Sequence, residues 1–73
     1  MLMYRFSIHN ADGSEREEPG RMGLRDDDAA REFGKAIIRD MMTCEAARYA
    51  NWIMNITKGG HAVCRLPFGS PWT

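Results

Sequence analysis

The chain has 73 residues, ten Lys or Arg against ten Asp or Glu, two His and two Cys. This length allows one domain, and zero net charge argues against a strongly electrostatic nucleic-acid binder, which carries a basic footprint. A core this small rarely supplies more than about 3–5 kcal/mol without a staple, so metal, disulfide, self-association and partner each have to be weighed.

Residues 2–9 alternate. Leu2, Tyr4, Phe6 and Ile8 share one face, and Met3, Arg5, Ser7 and His9 the other, which is the period of a half-buried strand. Asn10 to Gly13 reads as a turn, because Asp-Gly suits positive φ. A short second strand is expected over 14–18, with Pro19-Gly20 making its far end irregular. Asp26 is the expected N-cap of a helix over 27–47, and Asp27 and Asp28 complement the positive end of its dipole. Ala30, Phe33, Ile37, Met41 and Cys44 form a stripe at helical spacing, flanked by Ala29, Ala36 and Ile38. Gly34 either weakens the helix or lets another element approach. Asn51 is the expected stop, since Asn tolerates the left-handed conformation.

"WIMNITKGGHAVCRLPF" then reads as a hairpin. Trp52, Met54 and Ile56 share a face of its first strand. Lys58 to His61 turns it, and Ala62, Cys64, Leu66 and Phe68 share a face of its second. Pro67 cannot donate a ladder bond, so it belongs at a strand end or a sheet edge. The order is β-β-α-β-β: an α+β two-layer sandwich, one helix on a small antiparallel four-stranded sheet. Residues 1–68 form the expected domain and 69–73 a loose tail.

Residues 12–28 hold seven acids against three arginines, and residues 29–73 six bases against three acids. The plain expectation is two solvated surfaces. The start of the chain lacks the apolar core of a secretory signal, and no stretch reaches membrane-spanning length. The expected compartment is the cytoplasm, where Cys44 and Cys64 stay reduced.

The chain resembles a family of small uncharacterised proteins found in rhizobia and related alpha-proteobacteria, described as a domain of unknown function. Tyr4 and Phe6 match its Tyr-x-Phe strand. Asp12-Gly13, Glu17, Gly20 and Leu24 match its turn and following segment. Asp26, Ala29, Ala30 and Arg31 match its Asp-capped Ala-Ala-Arg helix, and Leu66, Pro67 and Phe68 its closing strand. Thr57, Lys58, Gly59 and Gly60 depart from its acidic Asp-Glu-x-Gly turn. The resemblance implies the fold and a bacterial origin, and it transfers no catalytic residue.

No catalytic set, metal or cofactor is expected. Structural zinc takes four convergent ligands, commonly with closely spaced Cys pairs, and His61-x-x-Cys64 is the only close spacing here. Positions three apart on a strand point to opposite faces, so His61 does not serve as a base for Cys64. Both thiols are expected to pack as small apolar groups. Glu15, Glu17 and Glu18 read as charges that protect an edge hairpin. Tyr4, Phe6, Trp52 and Phe68 could stack bases, but a single helix needs them as core.

Three functional readings follow. The first is a non-enzymatic protein-interaction or regulatory module. Its contact set is Met3, Arg5, Ile53, Asn55, Val63 and Arg65 on the sheet face away from the helix, with Trp72 of the tail. Its partner is another protein or a second copy, a homodimer included. The second is a nucleic-acid-binding module using Arg31, Lys35 and Arg39, which recur every four residues on one helix stripe. The third is a small inhibitor from a mobile genetic element that acts on a larger protein machine. Neither a membrane nor a small-molecule substrate is inferred.

Overall fold

The computed structural model describes residues 2–69. Strands β1 (Leu2–His9) and β2 (Arg16–Leu24) form a hairpin, helix α1 (Asp27–Tyr49) follows, and β3 (Ile53–Lys58) and β4 (His61–Pro67) form a second hairpin. The result is an α+β fold: one helix on an antiparallel four-stranded sheet of order β2-β1-β3-β4. The central strands are the apolar ones. Tyr4, Phe6 and Ile8 of β1 and Met54 and Ile56 of β3 are buried, with Phe6 opposite Ile56 and Ile8 opposite Met54. The edge strands carry Pro19 and Pro67, which have no N–H to offer a neighbour.

Strand β2 runs well past the expected residue 18. The ladder slips between Phe6 and Ile8, so Glu18 and Pro19 together face Ser7. That bulge absorbs the Pro-Gly pair and lets pairing continue to Leu24. The turn from Lys58 to His61 has both central residues, Gly59 and Gly60, at positive φ (57° and 84°). This backbone matches the twist of a two-residue hairpin and excludes most side chains.

Asp26 caps α1, its carboxylate accepting the Ala29 N–H at 2.8 Å. The helix buries Ala30, Gly34 and Ile38, while Phe33, Ile37 and Met41 flank that line half-buried. The expected stripe is thus turned toward its neighbour, and Cys44 is exposed rather than packed. Cys64 does pack against the core, half-buried opposite Ile56. The helix extends past the expected residue 47, to Tyr49, with a kink at Glu45 (φ −141°, ψ 53°) that separates its last turn from the rest. Its redirected last turn lays Tyr49 edge-on to Trp52 at 4.9 Å and beside Phe68 at 5.8 Å. No described non-glycine residue has positive φ, so Asn51 is not a left-handed stop. The chain turns instead through Ala50 in right-handed conformation, and the Trp52 N–H donates to the Tyr49 carbonyl.

Polar clamps hold both ends of the helix to the sheet. At the first, the buried Tyr4 hydroxyl donates to Asp27 Oδ1 at 2.6 Å and Lys58 Nζ donates to the same oxygen at 3.1 Å. At the second, Glu17 accepts from the Tyr49 hydroxyl at 3.1 Å and from Arg48 Nη2 at 2.8 Å. Burial, then the hydrogen bond to Asp27, pushes the Tyr4 pKa from 10.0 up to about 12. The Tyr4 hydrogen bond, then that of Lys58, lowers the Asp27 pKa. Burial and Glu17 raise the Tyr49 pKa.

The linkage has two limbs. Asp27 contributes stability that is present above the ordinary carboxylate range and lost as pH falls through its lowered pKa. Tyr4 contributes stability that is full below pH 10 and lost as pH rises through about 12. Tyr4→Phe is therefore expected to lower the urea midpoint at pH 7, and to make the decline both below pH 4 and between pH 10 and 12 shallower than in the wild type. Parallel curves for the two proteins across that series would show that the clamp contributes nothing.

Candidate interaction face

Strand alternation decides what lies on the side away from α1. Tyr4, Phe6 and Ile8 point to the helix, so Met3, Arg5, Ser7 and His9 point away. By the same parity Ile53, Asn55 and Thr57 of β3 and Arg65 of β4 point away. Of the expected contact set, the fold gathers Met3, Arg5, Ile53, Asn55 and Arg65 on one surface. Asn55 lies opposite Ser7 on one side and Arg65 on the other. No described element covers this face.

Val63 is placed differently. The β3–β4 register slips between Ile56 and Thr57, so Thr57 pairs with Ala62 and Val63 is the extra residue. It is half-buried and packs against the core, so it is not counted in the outer face. Trp72 lies outside the described residues.

The bulge in β2 adds side chains to this face that strand alternation alone conceals. Arg16 and Arg21 are five positions apart, which in a regular strand puts them on opposite faces. The inserted residue restores the parity. Arg16 pairs with His9 and Arg21 with Arg5, so both join the outer face. The signal was Pro19-Gly20 inside a stretch that otherwise reads as strand. Arg5 meets Glu18 at 3.6 Å, with both side chains half exposed, a geometry worth little by itself.

An open hollow of about 480 Å³ is lined by Arg5, Ser7, His9, Arg16, Asn55 and Thr57 among others. A second, of about 340 Å³, brings Met3 and Arg21 beside the same Arg5 and Thr57. The two hollows share Arg5 and Thr57, and the carboxylates of Glu17 and Glu18 join the guanidinium, hydroxyl and amide groups of the first.

The helix stripe is differently surrounded. Arg31 lies 3.9 Å from Asp28 and Lys35 lies 3.3 Å from Glu32, both pairs one turn apart on the same helix. Asp27 and Glu17, read from sequence as a helix-start charge and an edge charge, are the acceptors of the two clamps. His61 is exposed at the start of β4. No described helix is long and apolar enough to cross a membrane.

The model of a family described as a domain of unknown function, DUF6894, matches residues 3–69. No curated protein and no solved structure matches the chain.

Proposed function

As the chain belongs to the DUF6894 family, whose description attaches no activity, we propose that it is a non-enzymatic docking module that regulates another protein by binding it through the uncovered sheet face. The observation that carries this reading is the asymmetry of the sheet. One face is sealed by α1 and the other is open across all four strands, with Met3 and Ile53 set among arginines and Asn55. A thin core gains from burying that face on a partner. Met3, at 60% exposure, and the half-buried Ile53 supply apolar anchors, and Arg is among the side chains enriched at binding hot spots.

Binding of nucleic acid through Arg31, Lys35 and Arg39 draws less support, since the first two already face acids on their own helix. The setting proposed is the cytoplasm of an alpha-proteobacterium. The family resemblance and two free thiols support it.

Ile53→Asp tests the face. The variant is expected to keep the wild-type circular dichroism and to lose affinity for the partner recovered with the wild-type protein by on the order of tenfold or more. Titration calorimetry of purified components checks it. Unchanged affinity refutes docking through this face, and an unfolded Ile53→Asp chain shows that the two faces have been exchanged.

A further inference from the structure

The reading of the outer face as a docking surface leaves its partner's chemistry open, and the distribution of charge answers that. The face carries Arg5, Arg16, Arg21 and Arg65 against Glu18 and against Glu17, which lines the larger hollow while bonding to the helix end, a formal +2 in a chain of net charge zero. The other eight acids lie elsewhere. Among the described residues, Arg16, Arg21 and Arg65 on this face and Arg39 on the helix make no ion pair, whereas Arg5, Arg25, Arg31, Lys35, Arg48 and Lys58 each do. Arg21 also sits directly opposite Arg5, an arrangement of like charges that costs stability in an isolated sheet. A surface that gathers four guanidinium groups, three of them without an ion pair, is complementary to an anion.

We infer that the occupant is an acidic, carboxylate-rich segment of a different protein. Guanidinium groups bind carboxylates through paired N–H donors, and Ser7, Asn55 and Thr57 between them offer further hydrogen bonds. A second copy docked face to face is disfavoured, because a two-fold interface brings the same arginines against one another. Nucleic acid is disfavoured by the absence of a stacking platform on this face among the described residues: Tyr4, Phe6, Trp52 and Phe68 are all buried. Single-strand binders stack bases on aromatic rings. Met3 and Ile53 instead suit apolar side chains interspersed among the acids.

The test uses two fluorescent probes of equal charge, a peptide alternating Glu and Leu and a single-stranded RNA, titrated with the purified chain at several salt concentrations. The peptide is expected to bind, to weaken as salt rises, and to weaken by about tenfold or more in Arg21→Glu/Arg65→Glu. Arg31→Glu/Arg39→Glu on the helix is expected to leave it unchanged. Circular dichroism verifies folding, and Arg16→Glu replaces the double variant if that one unfolds. Tighter binding of RNA, lost in the same sheet-face variant, overturns the acidic partner but keeps the docking face. Peptide binding indifferent to the sheet-face charges, or no binding of either probe, overturns the inference. Loss of binding in the helix variant alone overturns the docking face as well.

Discussion

Trp52→Ala is expected to leave the protein largely unfolded at 25 °C. The indole is 4% exposed and sits at the junction between α1 and the second hairpin. It meets the Tyr49 ring edge-on at 4.9 Å, and its backbone carbonyl accepts the Phe68 N–H at 2.9 Å. Truncating a buried Trp to Ala costs about 3–5 kcal/mol through lost transfer energy and the remaining cavity. A core of this size supplies about that much in total. Tyr49 and Phe68 then lose a shared wall, and the turn that brings the helix end back to the sheet loses its anchor. Far-ultraviolet circular dichroism and urea titration check the result. A cooperative transition close to that of the wild type would show that this aromatic cluster is not part of the core.

Gly34→Leu is expected to lower stability by about 3 kcal/mol, the upper range for overpacking a close-packed site. A Cβ at position 34 would lie 2.8 Å from Ile56 Cδ1, 3.0 Å from Met54 Sδ and 3.1 Å from Leu66 Cδ1. All three side chains are buried, so the helix must lift off β3 and β4 to admit a longer group. Gly34→Ala is a milder case of opposing effects. It gains roughly 1 kcal/mol of helix propensity and requires three buried side chains, Ile56, Met54 and Leu66, to give way to the new Cβ. Its expected outcome is a small net loss. Urea midpoints for the two variants in one series decide it. If Leu is tolerated as well as Ala, the helix does not seat at this position.

The candidate face was partly legible in the chain. Met3, Arg5, Ile53, Asn55 and Arg65 follow from alternation within strands whose other face is plainly apolar. Arg16, Arg21 and Val63 did not follow, for one reason. Each lies on a strand with a bulge, and a single inserted residue exchanges the faces of everything beyond it. The clamps were hidden for another reason. Tyr4 and Asp27 are 23 residues apart, and Tyr49 and Glu17 are 32 apart. An acid near a helix start satisfies a local explanation before any distant partner is considered.

The local periods of the sequence were enough to determine four strands, one Asp-capped helix, two glycine turns and the identity of most of the core. Alternation by two and recurrence near 3.6 are properties of single elements, and each element's buried side is written in its own residues. Strand order, the two bulges, the rotation of the helix about Gly34 and the kink that returns Tyr49 to Trp52 were decided only by the tertiary structure. Each depends on how two elements far apart in the chain fill the space between them. Close packing is a property of pairs of surfaces, and no single stretch of sequence contains it.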